Sequence, residues 1–148
     1  YTFYYSGFNL RSTDLQAHIG RSQLQKLAQI NRVRNNNFKL YETLLSDYFV
    51  QRSTSDFVSS FAYGTLVDNR IEVAETLQKN GIEVRPLICG NIGRHPFWLK
   101  SNPQQHYPNA DIVHDYGLYL PNHLNISADD VRFCCEIFKS VAVPKYFV

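Results

Sequence analysis

Residues 7–14 place a glycine, an asparagine and an arginine directly before a predicted helix. Gly7 allows the backbone to approach a ligand closely, and the amide of Asn9 offers hydrogen-bond donors. The guanidinium of Arg11 is a planar fork that matches phosphate oxygens. A loop of this kind at a helix start suits an anion such as phosphate. The alternative is a plain connecting loop, which the spacing alone does not exclude.

A second polar loop, residues 89–108, follows a predicted strand and brings Arg94, His95 and Trp98 close together in sequence. Loops longer than about 12 residues in a compact domain are more often functional than connective. Arg94 is therefore a candidate anion-binding residue, and Trp98 is a candidate for stacking on a sugar or a base. In the alternative interpretation, Trp98 covers the edge of a sheet and Arg94 is a solvated surface charge.

The histidines and cysteines do not have the spacing of a metal site, because the histidines are spread irregularly and no CxxC pair occurs. Cys134 and Cys135 are neighbours on a predicted helix, where side chains point about 100° apart. We expect them to be reduced core residues. An odd count of three cysteines favours a reducing compartment, so we expect a cytoplasmic protein.

Helix signals are strong at three places. Thr13, with a glutamine three residues later, forms a capping box, and apolar residues recur at helical spacing after it. This predicts one long bent helix, or two in tandem, over residues 13–49. A shorter helix is predicted over residues 70–79, and Ser127 followed by acidic residues caps the last one. The first helix carries an apolar stripe that we expect a further domain or a partner subunit to cover: Leu15, Ile19, Leu24 and Leu27.

Three strands are predicted, over residues 57–66, 82–88 and 112–120, with Pro86 marking an edge or an irregularity in the second. The order of helices and strands favours an α/β fold with α+β character. We expect a long N-terminal helix or helix pair and a small, mostly antiparallel sheet with helices packed on it.

The composition is that of one globular domain: 148 residues, 44% hydrophobic, 19% charged, net charge +2. No apolar run approaches the roughly 18 residues of a membrane span. Residues 1–41 contain six Lys and Arg residues and one acidic residue, Asp14, but no recognisable nucleic-acid-binding motif. We therefore expect no nucleic-acid partner, and the lack of a long apolar run leads us to expect no membrane partner. The chain contains no methionine and begins at Tyr1, from which we expect a piece of a longer protein.

The first loop and helix resemble the hallmark motif GYNxRxTDxQAAxGxxQLxxL of the DegT/DnrJ/StrS sugar aminotransferase family. Two positions depart from it: Phe8 replaces a tyrosine and His18 replaces an alanine. The second loop resembles the subgroup that contains the nucleotide-linked 4-keto-6-deoxyhexose 3-dehydratases, and the resemblance runs to the end of the chain. The residues that carry these similarities are Gly7, Asn9, Arg11, Thr13, Asp14, Gln16, Ala17, Gly20, Gln23, Leu24 and Leu27 in the first loop and helix, and Gly90, Asn91, Arg94, His95 and Pro96 in the second loop.

The resemblance implies the C-terminal part of a fold-type I enzyme that uses pyridoxal phosphate (PLP) or pyridoxamine phosphate. It implies that Asn9 reaches the cofactor phosphate and that Arg11 lies near the nucleotide phosphates of the substrate. Both residues would act in the partner subunit's active site of a homodimer. Arg94 and His95 would approach the sugar.

The resemblance also implies a division of the chain. Residues 1–30 would end a large PLP domain, and residues 31–148 would form the small domain. The family's PLP-bearing lysine, a histidine in the 3-dehydratases, precedes the motif, whereas Lys26 and Lys39 follow it. We therefore assign no catalytic residue to this chain and expect it to be inactive alone. The implied parent is an aminotransferase or a 3-dehydratase for a nucleotide-linked 4-keto-6-deoxy sugar, in surface-polysaccharide (lipopolysaccharide) biosynthesis. A non-catalytic binding or dimerisation module with the same fold is the alternative.

Overall fold

A computed structural model describes residues 2–5, 7, 12–50 and 52–147. Within them the helices are α1 (Asp14–Leu24), α2 (Leu27–Leu44), α3 (Arg70–Lys79), α4 (Pro96–Leu99), α5 (Pro108–Tyr116) and α6 (Ala128–Val141). The strands are β1 (Ala62–Leu66), β2 (Arg85–Pro86) and β3 (Gly117–Pro121).

The helices that have capping signals in the sequence begin where those signals predict. The Thr13 hydroxyl accepts a hydrogen bond from the Gln16 backbone N–H, and the Gln16 side chain accepts from the Thr13 N–H. Ser127 and Asp130 form the same reciprocal pair at the start of α6. Each pair satisfies backbone donors that the first helical turn leaves free. The predicted stretch 13–49 is thus a pair of tandem helices, α1 and α2, that ends at Leu44.

The three strands form one antiparallel sheet in the order β1-β3-β2. Ala62 of β1 pairs with Pro121 of β3, and Arg85 of β2 pairs with Tyr119 on its other side. Pro86 therefore lies on an edge strand, where its missing N–H costs no ladder bond. The sheet and the helices on it confirm the predicted fold class.

The core lies between this sheet and helices α2, α3 and α6. Tyr41 of α2 and Tyr63 of β1 are fully buried and stack with ring centroids 4.9 Å apart. Cys134 and Cys135 of α6 lie in the same core, as predicted. Burial raises the pKa of the Cys134 thiol to about 11 and that of Cys135 to about 12. Both cysteines therefore stay protonated and apolar at neutral pH.

Two strand predictions were too long. Residues 57–61 are not a strand, because backbone groups of this segment bond side chains instead of a neighbouring strand. The Val58 N–H donates to Asn35 Oδ1 of α2 at 2.8 Å, and the Ser60 carbonyl accepts from Asn122 Nδ2 at 3.0 Å. The second predicted strand, 82–88, shrinks to the two residues of β2. At its start the Ile82 N–H donates to the Leu77 carbonyl, which completes the C-terminus of α3 instead of a ladder.

The prediction of a strand over residues 112–120 was wrong for its first half. Residues 108–116 form α5, with Pro108 in its first turn, where a missing N–H is harmless. The strand begins at Gly117. A Cβ there would lie 2.4 Å from both the Val113 carbonyl oxygen and the Leu87 side chain, so only glycine allows the chain to turn from α5 into β3.

Helix α1 buries none of its residues. The apolar residues predicted to share a face here are exposed to between 47% and 70%, and we call them the α1 stripe: Leu15, Ile19 and Leu24 of α1, with Leu27, the first residue of α2. Nothing in the described part of the chain covers this surface.

Candidate functional site

The second polar loop begins with a tight turn that requires unusual backbone angles. The Gly90 N–H donates to the Leu87 carbonyl at 3.1 Å, and both Cys89 and Gly90 have positive φ, 63° and 53°. A Cβ at Gly90 would lie 2.4 Å from the Nδ1 atom of His114. Glycine is therefore needed at position 90 both for its conformation and for its contact with α5.

Asn91 links this turn to α5. Its side chain is 4% exposed; its Oδ1 accepts from the Gly93 N–H and its Nδ2 donates to the Asp111 carboxylate, each at 2.8 Å. Its backbone N–H donates to Nδ1 of His114 at 3.1 Å. Asn91 therefore holds the 3-10 turn (Ile92–Arg94) in a defined place on α5.

Arg94 extends from that turn toward two carboxylates of α5. Its Nη1 lies 2.8 Å from Asp115 Oδ1 and 3.6 Å from Asp111 Oδ1. The Arg94 side chain is 45% exposed, so this charge is partly neutralised but still faces solvent. Both carboxylates lie one helical turn apart on one face of α5. The prediction that Arg94 contacts substrate is untested by this geometry.

His95 points inward and is 2% exposed. Its Nδ1 accepts from the Phe3 backbone N–H at 3.1 Å, and its Nε2 lies 2.8 Å from the Cys89 carbonyl oxygen. A carbonyl only accepts, so Nε2 carries the proton and the ring is the neutral Nε2–H tautomer. Both nitrogens are engaged within the chain. The prediction of sugar contact by His95 likewise stays a prediction.

A cavity of about 590 Å³ opens beside this network. Arg94, Asn91 and Asp111 line it, and His106 lies at the rim with its Nδ1 3.3 Å from Asp111 Oδ2. The walls are mostly polar, with donors and acceptors of both charge signs. Such a cavity can accept a small polar group by hydrogen bonding.

His114 of α5 belongs to this network, and its surroundings lower its pKa. Partial burial lowers its pKa, and the nearby Arg94 guanidinium lowers it further. Its Nδ1 accepts from the Asn91 N–H, which requires that nitrogen to be unprotonated. His114 is therefore neutral at pH 7 and works as an acceptor.

The residues that sequence reasoning proposed are only partly gathered by the structure. Asn9 and Arg11 lie outside the described residues. Trp98 is half-buried in α4 and its carbonyl accepts from Asn102. Sequence reasoning missed Asp111 and His114 as partners on one helix, because a strand was predicted over residues 112–120 where α5 occupies residues 108–116. Their helical spacing, with Asp115 four residues after Asp111, was the available signal.

Within the described ranges, no group of three or more histidine, cysteine or acidic side chains is placed to hold a metal ion. None of the helices in those ranges combines the length and apolar character that crossing a bilayer demands.

The cofactor implied by the resemblance can be tested against the chain's lysines, since PLP in this family is held by one or by a histidine substitute. All lysines lie in the described part, and Lys145 pairs with Asp68 at 3.0 Å. None lines the cavity beside Arg94. The cavity beside Arg94 therefore offers no lysine that could anchor PLP. The remaining lysines are exposed: Lys26, Lys39, Lys79, Lys100 and Lys139.

Comparison with characterised proteins gives a consistent result. The chain is 27% identical over 150 residues to GDP-4-keto-6-deoxy-D-mannose 3-dehydratase of Escherichia coli O55:H7 (strain CB9615 / EPEC), over 94% of this chain and 38% of that protein. It is 32% identical over 148 residues to dTDP-4-dehydro-2,6-dideoxy-D-glucose 3-dehydratase of Saccharopolyspora spinosa, over 92% of this chain and 32% of that protein. The chain thus spans about a third of the length of these relatives.

The fold agrees with solved structures. The crystal structure of the E. coli GDP-4-keto-6-deoxy-D-mannose-3-dehydratase with bound hydrated PLP superposes with a TM-score of 0.76 at 27% identity, over 89% of this chain and 36% of that one. The model of one family, the DegT/DnrJ/EryC1/StrS aminotransferase family, matches residues 1–139. This match covers both polar loops and the whole sheet, and the chain belongs to that family.

Proposed function

We propose that this chain is the C-terminal part of a cytoplasmic enzyme that uses PLP or pyridoxamine phosphate on a nucleotide-linked 4-keto-6-deoxy sugar. The enzyme serves surface-polysaccharide biosynthesis, as a 3-dehydratase or an aminotransferase. The observation that carries the proposal is the continuous similarity, over 94% of the chain, to a GDP-4-keto-6-deoxy-D-mannose 3-dehydratase. The other relative described above is also a 3-dehydratase, which favours dehydration over amination.

The proposed division of the chain follows its burial. Residues 1–30 belong with a large domain, and residues 31–148 form the small domain. In support, α1 buries no residue, whereas the buried residues of α2 begin only at Asn35. The exposed α1 stripe then meets the large domain or the second subunit of a homodimer, since large apolar patches on soluble proteins usually mark interfaces.

The roles proposed for the first loop are binding roles. When bound, PLP would accept the electron pair left when a bond to the neighbouring substrate carbon breaks. Asn9 binds the cofactor phosphate through its amide, and Arg11 binds the nucleotide phosphates of the substrate through its guanidinium fork. Both serve the active site of the partner subunit. The family's PLP-bearing lysine or histidine precedes the first motif, so we expect this chain alone to be inactive.

The test is an assay of the complete gene product with a GDP-linked 4-keto-6-deoxyhexose, PLP and glutamate. A 3-deoxy product identifies the dehydratase, and a 4-amino product identifies the aminotransferase. Binding of the nucleotide sugar without either product would refute the enzyme proposal and favour the non-catalytic module.

Arg11→Ala tests the proposed role of that residue. Losing a charge-assisted hydrogen bond worth about 1.5–3 kcal/mol should weaken apparent affinity for the nucleotide sugar roughly ten- to a hundredfold and spare PLP binding. Arg11→Lys should rescue only part of this loss, because a point charge lacks the bidentate geometry. Asn9→Ala should instead weaken cofactor retention first.

Mixed dimers decide between the two subunits. One subunit carries Arg11→Ala and the other lacks its PLP-anchoring residue. If Arg11 acts across the interface, the site with an intact anchor receives wild-type Arg11 from the other subunit, so one of the two sites works and the heterodimer keeps about half of the wild-type activity. A nearly inactive heterodimer would show that the loop serves its own subunit.

A further inference from the structure

The N-terminal segment Thr2–Tyr5 is attached to the molecule at one place. Within the described part of the chain, its hydrogen bonds and ring contacts go to residues 95–100. The Phe3 N–H donates to Nδ1 of His95, and the Phe3 carbonyl accepts from the Phe97 N–H at 3.0 Å. The Phe3 ring centroid lies 5.1 Å from that of His95 and 6.3 Å from that of Phe97.

His95 is the buried member of this contact. Two further hydrogen bonds attach the segment: the Phe97 N–H donates to the Phe3 carbonyl, and the Lys100 ammonium donates to the Tyr4 carbonyl at 2.9 Å in an exposed position. The imidazole is 2% exposed and bonds two segments at once, Phe3 through Nδ1 and the Cys89 carbonyl through Nε2. A buried side chain with both polar atoms satisfied by different segments fixes those segments relative to each other.

The two segments that His95 joins each lead to predicted ligand-binding residues. Phe3 precedes Asn9 by six residues in the sequence. On the other side, Cys89 begins the loop that carries Arg94.

We propose that His95 is a positioning residue, which fastens segment 2–5 to the loop 89–98 and so fixes where the chain starts toward Asn9 and Arg11. Its functional meaning rests on the proposed function, in which those two residues bind phosphates. The contact of His95 with both segments, which we call the His95 clamp, is a property of this chain and is testable without any ligand.

Two half-isosteric variants separate the two hydrogen bonds. In His95→Asn the side-chain oxygen takes the place of Nδ1 and still accepts from Phe3. In His95→Gln the side-chain amide reaches the place of Nε2 and still donates to Cys89, but the acceptor for Phe3 is gone. His95→Phe keeps only the ring, and His106→Gln is the matched control, because the His106 side chain is 80% exposed.

The first readout is amide hydrogen exchange and imidazole ¹⁵N shifts on the full 148-residue chain. The shifts should give the Nε2–H tautomer for His95. Exchange at Phe3 should accelerate about five- to tenfold in His95→Gln and His95→Phe, the effect of one lost hydrogen bond, and stay near wild type in His95→Asn and His106→Gln. Unchanged protection at Asn91 shows that each variant is folded.

The second readout is the distance distribution between spin labels at positions 7 and 92, in a Cys89→Ser background. Gly7 has open space where a Cβ would lie, and Ile92 is 48% exposed, so both positions accept a label. The distribution should broaden in His95→Gln and His95→Phe and stay narrow in His95→Asn.

Equal effects of His95→Asn and His95→Gln, or no effect of His95→Gln on either readout, would overturn the proposed positioning role of His95. Absence of activity in the complete gene product would refute the proposed function and leave these two readouts unaffected.

Discussion

Replacing Asn91 with alanine removes the side chain that joins the 3-10 turn (Ile92–Arg94) to α5. The buried Asn91 amide makes two side-chain hydrogen bonds of 2.8 Å, one from the Gly93 N–H and one to the charged Asp111 carboxylate. Alanine leaves both partners in place without a replacement. The backbone bond from position 91 to His114 does not need the side chain, so it persists.

The expected loss can be estimated from these contacts. A partly buried N–H left without an acceptor costs about 1–3 kcal/mol, and a hydrogen bond to a charged group contributes about 1.5–3 kcal/mol. Water from the adjacent cavity can reach Asp111, whose side chain is 26% exposed, and this reduces the second contribution. We therefore expect Asn91→Ala to lower the free energy of unfolding by about 2–4 kcal/mol.

Urea unfolding followed by far-UV circular dichroism measures this difference, with Asn36→Ala as the matched control. Asn36 is an exposed residue of α2, where the same substitution should change stability by less than about 0.5 kcal/mol. The variant Asn91→Asp keeps an acceptor for Gly93 but places a second carboxylate beside Asp111. Its instability should diminish below about pH 4, where carboxylates become protonated.

A loss for Asn91→Ala no larger than that of Asn36→Ala would refute the reasoning, since it would mean that the turn is held to α5 by other contacts. Equal stability of Asn91→Asp and Asn91→Ala at all pH values would refute the assigned contact with Asp111.

Three further predictions concern the rest of the molecule. The α1 stripe should make the isolated chain self-associate, which sedimentation velocity should detect and serine substitutions across the stripe should abolish. A wild-type chain that stays monomeric at high concentration would contradict this prediction. The pKa of His114 is lowered in the folded state, so the stability that neutral His114 contributes is complete above about pH 6.5 and is lost as pH falls toward the folded-state pKa. Urea titrations should therefore show a smaller loss of unfolding free energy between pH 7 and pH 5 for His114→Asn than for the wild type, and an equal loss would exclude this contribution of His114. A thiol reagent at pH 8 should label Cys89 in the native protein, whereas Cys134 and Cys135 should react only on unfolding, because they are buried and their pKa values are raised. Rapid labelling of all three thiols in the native protein would contradict the placement of Cys134 and Cys135 in the core.

Local signals in the sequence determined most helices. Thr13, Ser127 and the Asn80-Gly81 stop place helix ends within a few residues because a cap satisfies backbone groups of its own turn. The φ of 76° at Gly81, just after α3, is a left-handed backbone angle that glycine adopts without strain. The family motif over the first loop was also readable from the sequence, because it consists of residue types at fixed spacing.

Only the tertiary structure decided the extent of the strands and the directions of the site residues. Residues 57–61 are rich in apolar residues, but a strand exists only where a partner offers its backbone. Here side chains take the backbone bonds instead: Asn35 accepts from the Val58 N–H, and Asn122 donates to the Ser60 carbonyl. Residue type made His95 a candidate for ligand contact, yet its nitrogens bond Phe3, 92 positions earlier, and Cys89. Contacts across such separations depend on how the elements pack, which no local pattern encodes.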